Sequence, residues 1–383
     1  YHPSFIRPCL LHLTPLSLFY SLYLHDALPI LMASRNTVCY NRPMNYFTYL
    51  TNVGLEQLFQ VIHKERAQTI AIGQGVMETA SEASNSVFIG NYMAANCTSG
   101  SDSTVAIGTN CLSPAGYSGE GNTAVGNQAG NNLSSGDNNT LIGRNAGDGI
   151  TTSPDNTFIG KQSGLVFNNT SGDGRNVGVG SISAGALTTG IYNVFVGYAA
   201  GNASGGSSST VTTGNFNTMV GYEAKGSSTA ASNQNSFGYS AACSANNQIT
   251  LGDSSIGALR CQVTSITALS DERDKTSIED LPYGLDFVDS LKPRKFVWDH
   301  RAETKTEIDE EGNETQVEFY SANKGKKDIG FIAQELQSVD DDFLNLIYDA
   351  NPEKLEATYG RLVPVLVKAI QDLSAKVTAL ENA

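Results

Sequence analysis

Asn139-Thr140-Leu141-Ile142-Gly143 returns as Asn156-Thr157-Phe158-Ile159-Gly160, with the same polar entry, apolar centre and closing glycine. Toward the N-terminus the unit recurs as Asn122-Thr123-Ala124-Val125-Gly126, Val105-Ala106-Ile107-Gly108, Val87-Phe88-Ile89-Gly90 and Ile70-Ala71-Ile72-Gly73. Toward the C-terminus it recurs as Asn176-Val177-Gly178-Val179-Gly180, Asn193-Val194-Phe195-Val196-Gly197 and Asn217-Thr218-Met219-Val220-Gly221. Asn235-Ser236-Phe237-Gly238 and Ile249-Thr250-Leu251-Gly252 close the series. The closing glycines stand mostly about 17 to 20 residues apart, a period close to that of solenoid architectures.

Each unit offers one short strand whose β-branched and aromatic residues face inward, then a glycine that permits positive φ where the chain turns. A second glycine often follows, as in Gln128-Ala129-Gly130, Asn145-Ala146-Gly147 and Ala199-Ala200-Gly201. One strand cannot bury its own apolar face, so the units must stack. Asparagine at the same point of each unit then forms ladders along the stack. Large apolar residues are few per unit against the entropy of ordering it, which favours packing several chains about an axis. The expected fold is therefore mainly β. A Gly/Asn-rich β-roll or β-helix shaft occupies 69–257, with Ser204 to Thr213 as a surface loop; a homotrimer is favoured over a monomeric left-handed β-helix, which the repeat length alone also allows.

The 383-residue chain carries a formal net charge of -14, which argues against nucleic acid as a partner because phosphate binding needs clustered Lys and Arg. Of its 62 charged residues, 39 fall in 270–383, so a composition boundary lies at Ser270. Cys9, Cys39, Cys97, Cys111, Cys243 and Cys261 are scattered without CxxC spacing, and are read as buried or free thiols. The histidines are equally scattered, and no cofactor or metal is expected. Glu120, Asp137, Asp148, Asp155 and Asp173 sit among Gly, Asn and Ser, where acids serve turns.

The apolar run within 1–31 is broken by Pro15, His25, Asp26 and Pro29, so it makes a poor signal peptide or membrane anchor, and no membrane insertion is expected. Leu24-His25-Asp26-Ala27-Leu28-Pro29-Ile30 reads like a translated sequencing adapter, and the native frame is expected to begin near Met32 or later. Within 32–68, Leu55, Leu58 and Ile62 with Gln57, Lys64 and Glu65 fit a short amphipathic helix; a truncated or frame-shifted edge fits equally.

After a connector at 258–269 comes Ser270-Asp271-Glu272-Arg273-Asp274-Lys275-Thr276-Ser277-Ile278. This has the pattern Ser-Asp-x-Arg-x-Lys-x-x-Ile. With Leu291-Lys292-Pro293-Arg294-Lys295-Phe296-Val297-Trp298, Asp328-Ile329-Gly330-Phe331-Ile332-Ala333-Gln334-Glu335-Leu336 and the terminal helix, 270–383 resembles the peptidase S74 family. That family is the intramolecular chaperone auto-processing domain at the C-terminus of viral tail spikes and fibres, and the repeats resemble trimeric adhesin heads and tail fibres. The resemblance implies an α+β domain that cuts the Leu269–Ser270 bond after assembly, with Ser270 as nucleophile and Lys275 as base. Asp271 and Arg273 are assigned to orientation and electrostatics.

A serine hydroxyl needs a base to take its proton, and Ser–Lys pairs are a known solution. A lysine with its reference pKa of about 10.4 is almost wholly protonated at neutral pH, so a base role demands burial or a neighbouring cation such as Arg273. Hence the expectation that trimer assembly, by burying Lys275, switches cutting on. A plainer role for Ser270-Asp271 is to cap or turn the chain at a domain edge, with Arg273 and Lys275 solvated. Spacing alone favours that role; the downstream resemblance reverses the choice.

Glu307 to Glu318 reads as a polar hairpin or loop around Glu311-Gly312-Asn313, and Asp340-Asp341-Asp342 as a solvated turn, with calcium binding the minor alternative. Val363, Leu366, Ile370, Leu373, Val377 and Leu380 alternate by three and four, a short parallel coiled-coil seam. Pro364 lies near the start of that helix, where it is tolerated. Together these features fit a viral tail fibre or spike, a virion protein made in the host cytoplasm, whose shaft meets a cell-surface glycan or protein receptor. The alternatives are a trimeric bacterial surface adhesin with an uncut C-terminal domain and a glycan depolymerase.

Overall fold

The computed structural model describes residues 46–51, 58–64, 69–76, 83–93, 101–114, 116–170, 173–202, 209–262, 267–308, 314–320 and 323–383. The leader 1–31 lies outside them, as do Cys9, Cys39, Cys97, Leu55, Gln57 and Glu65. One sheet of 13 strands runs from β1 (Tyr46–Thr51) through β2 (Leu58–Lys64) and β3 (Thr69–Gln74) to β13 (Gln248–Leu251), in sequence order. From β3 onward every neighbour is parallel and in the register of the repeat, as in Leu141↔Phe158 and Phe195↔Met219. A parallel ladder with one strand per repeat is a β-solenoid.

Residues 58–64 are not helical. β2 pairs antiparallel with β3, Val61 opposite Ile72, and β1 pairs antiparallel with β2. Phe59, Val61 and Ile62 are residues that suit a strand, and β3 presents an edge with no repeat before it to pair with.

The core corrects which residues point inward. Only the middle residue of each triplet is buried, in Ala124, Leu141, Phe158, Phe195 and Met219, while its neighbours stand half-buried or exposed outside, as period-two geometry requires. The core is completed from the turns by Leu133, Ile150, Phe167, Leu187 and Val211, with small Ala129, Ala146 and Ala200 between them. Val211 belongs to the stretch expected as a surface loop, yet it is fully buried and its amide donates to the Gly201 carbonyl at 3.0 Å. One chain therefore encloses the core, and burial inside the solenoid does not call for neighbouring chains.

The expected ladder is present, and it is buried. The Asn139 amide and Nδ2 donate to Asn122 Oδ1 at 2.8 and 3.2 Å, and Asn156 repeats this on Asn139 at 2.9 and 3.0 Å. Asn176, Asn193 and Asn217 continue it, and the Gln234 amide ends on Asn217 Oδ1 at 3.0 Å. Each Nδ2 also donates to a turn carbonyl, such as Ser153 for Asn139 at 3.1 Å and Gly214 for Asn193 at 2.9 Å. A buried amide with both ends satisfied costs little to desolvate and fixes the register of the next turn.

Among the described cysteines Cys111 and Cys243 are buried, Cys261 is exposed, and all three are free thiols. Cys111 Sγ donates to the Gly126 carbonyl at 2.7 Å, and burial pushes its pKa up from 9.0 to about 11. The folded state thus holds a proton that the unfolded chain gives up first. Stability from this group is full below about pH 9 and is lost as pH rises to about 11, a change of about 2–3 kcal/mol. Cys111→Ala is expected to flatten the fall in melting temperature over that window, measured by circular dichroism.

Beyond Ser270 the chain forms a small α+β region. Helices α1 (Leu285–Ser290), α2 (Ala333–Gln337) and α3 (Leu362–Glu381) surround a core of Leu336, Leu344, Leu346, Leu362 and Val365. β14 (Arg294–Val297) pairs with β17 (Lys327–Gly330), and β15 (Glu303–Ile308) with β16 (Glu314–Phe319), all antiparallel. The expected hairpin is thus formed, with its tip outside the described residues. Helix α3 buries Leu362, Val365 and Ala369, while all six seam residues, Val363 to Leu380, are 45–78% exposed.

Candidate functional site

The stretch from Ser270 onward folds through its second residue. Asp271 is the N-cap of a single 3-10 turn over Glu272–Asp274, accepting from the Arg273 amide at 2.9 Å. The Lys275 amide closes the turn on the Glu272 carbonyl at 3.0 Å. This reversal carries Lys275 back over its starting point. Its Nζ stands 2.7 Å from Ser270 Oγ and 3.0 Å from the Ser270 carbonyl oxygen.

The Arg273 guanidinium grips Asp271 in a two-pronged pair, Nε to Oδ1 at 3.0 Å and Nη2 to Oδ2 at 2.6 Å. Hydrogen bonds from the Arg273 side chain, then from its amide, hold the Asp271 carboxyl below its usual range. Arg273 is thus engaged with Asp271. The capping role and the Ser–Lys contact coexist, and the cap creates the contact.

Leu269, on the other side of the bond in question, is fully exposed, and Ser270 to Lys275 are exposed as well. Among the described residues none donates a hydrogen bond to the Leu269 carbonyl.

The two downstream stretches singled out in the sequence are neighbours in space. Arg294 lies opposite Gly330 and Phe296 opposite Asp328 in the β14–β17 pair. Arg294 reaches Glu335 through Nε at 3.0 Å and Nη2 at 2.6 Å, and Trp298 Nε1 donates to Asp328 Oδ2 at 3.2 Å. Sequence reasoning quoted these residues without giving them a task; their alternation of charge across two separated stretches was the available signal. Arg294–Glu335 ties the strand pair to α2, and Trp298–Asp328 ties the end of β14 to β17.

The aspartates at 340–342 act as turn acceptors. Asp340 accepts from the amides of Leu346 at 2.8 Å and Ile347 at 3.0 Å, and Asp341 from Phe343 at 3.0 Å and Leu344 at 2.9 Å. Asp341 also takes the Tyr283 hydroxyl, which heads the causes that hold its carboxyl low. Among the described residues no group of three His, Cys, Asp or Glu is placed to hold a metal ion, and no described helix is long and apolar enough to cross a membrane. In the shaft, Asp137 Oδ1 accepts the Glu120 amide at 2.8 Å, and Arg175 pairs with Asp155 at 3.5 Å and Asp173 at 3.3 Å.

A parallel β-solenoid thus leads into a small α+β region, with a serine and a lysine in contact between them. The chain carries a Peptidase S74 domain, described as the chaperone of endosialidase, matched over residues 270–345 behind the β-solenoid. The match begins at Ser270 and ends before α3. Such domains imply trimerisation and self-cleavage. No curated protein and no solved structure matches the chain.

Proposed function

We propose that residues 270–383 guide three copies of the chain into register and then cut themselves from a virion tail fibre or spike at the Leu269–Ser270 bond. The observation that carries this reading is the 2.7 Å contact between Lys275 Nζ and Ser270 Oγ, at the residue where the family match starts. Because the nucleophile lies immediately after the scissile bond, Ser270 Oγ attacks the Leu269 carbonyl carbon while neutral Lys275 takes its proton. The C–N bond breaks, the proton passes to the departing Ser270 nitrogen, and Leu269 is left as an ester on Oγ. Water hydrolyses that ester, giving a Leu269 carboxylate and a new Ser270 N-terminus. Asp271 and Arg273 position the pair by forming the turn.

Assembly is the trigger. In the single chain the Ser–Lys pair is open to water and the α3 seam has no partner, so the two deficits are met together when chains join. The released shaft is the part that meets the host surface. Expression of the full chain is expected to yield a trimer and a fragment whose intact mass begins at Ser270. Leu366→Asp with Ile370→Asp is expected to abolish both trimer and fragment, read by light scattering and mass spectrometry; a monomeric double variant that still cuts would refute assembly control.

A further inference from the structure

The outside of the solenoid sheet carries a second ladder that its core does not use. In each triplet the residue after the buried one points outward, and Ile107, Val125, Ile142, Ile159, Val179 and Val196 lie in one column in strict register. Ile107 and Ile142 are 38% and 36% exposed, and the other four are half-buried by rungs above and below. The column continues through all parallel rungs from β3 to β13. At about 4.8 Å per rung and about 10 Å of strand width, it presents an apolar strip on the order of 500 Å².

We propose that this outer column is the face by which the shafts of neighbouring copies pack side by side, parallel and at equal height. The inference rests on the reading of the chain as a homotrimer and adds the surface that reading leaves open. Three observations select a second copy of this chain as the occupant. The strip is straight and evenly stepped, and an identical ladder matches its spacing without adjustment. Its area falls short of the about 800 Å² per partner of a standard interface, so joining the chains needs a second patch on the same partner, and the exposed α3 seam supplies one until the Leu269–Ser270 bond is cut.

Around the rung of Asn139 the flanks are also of opposite sign. On the rung of Asn139 the strand is entered past Asp137 and left past Arg144, and the next rung is left past Lys161. Arg144 and Lys161 are exposed and have no ion-pair partner among the described residues. Rotation about an axis along the solenoid brings the basic exit flank of one copy to the acidic entry flank of the next at the same height. An antiparallel arrangement sets acid against acid.

The test places the photo-crosslinking residue benzoylphenylalanine in the full chain, either for Ile159 in the column or for Asn132, an exposed turn residue on another face. Irradiation of the purified Ile159 variant is expected to give covalent dimers and trimers on a denaturing gel, and the Asn132 variant none. A trimer by light scattering that crosslinks through Asn132 and not Ile159 would overturn the packing face while leaving the homotrimer standing. A monomeric chain would overturn both.

Discussion

A Ser270→Ala chain is expected to stay whole, with the fragment beginning at residue 270 absent from the mass spectrum while the trimer still forms. The variant removes the only atom that the proposed ester can form on, so the loss is on the order of 10⁴–10⁶-fold and reads as complete over hours. Lys275→Met removes the group 2.7 Å from Oγ and is expected to abolish cutting as well, again without loss of the trimer. The pairing of lost cleavage with retained assembly is the informative result. A fragment of unchanged mass from Ser270→Ala would move the nucleophile elsewhere, and loss of the trimer in both variants would make the stretch a folding element.

The second large effect is expected in the shaft. Gly160 has φ of +133°, and a Cβ there would come within 2.3 Å of the Gly180 carbonyl oxygen and 2.5 Å of its carbonyl carbon. Both atoms are backbone, so no side chain can swing aside. Gly160→Ala is expected to cost about 4 kcal/mol, from left-handed strain and a forced separation of adjacent rungs. The same clash recurs at Gly143 and Gly180, where the nearest oxygen would lie at 2.5 and 2.4 Å. Denaturant unfolding of the shaft is the measurement; a loss under about 1 kcal/mol would mean that the rungs separate without penalty.

The contrast between rungs and ends shows what a sequence of this kind discloses. The repeat displays its strands, its glycine column and its asparagine ladder, because each of these needs one residue type at one place in every turn. The turn residues Leu133, Ile150 and Phe167 recur at the spacing of the repeat but escaped notice, since the residue type changes from turn to turn and no fixed glycine or asparagine marks the position. The stretch 58–64 misled for a different reason. Leu58 and Ile62 are spaced as on a helix, and only the open edge of β3, a tertiary fact, makes them a strand. In the stretch from Ser270 to Ile278, Ser270 and Lys275 were visible as residue types. Their contact was not, because it depends on Asp271 folding a 3-10 turn between them.

The asparagine ladder has one more consequence. From Asn122 to Asn217 each rung hands the same amide and the same oxygen to the next, so this part of the shaft is a ruler graduated in whole turns. Excising residues 139–155 would join Asn138 to Asn156 and offer Asn156 to Asn122 in the place of Asn139, shortening the rod by about 4.8 Å without disturbing what lies on either side. Cutting out half that number would leave an amide facing the wrong carbonyl. Length in such a protein is thus free to drift, but only by integers.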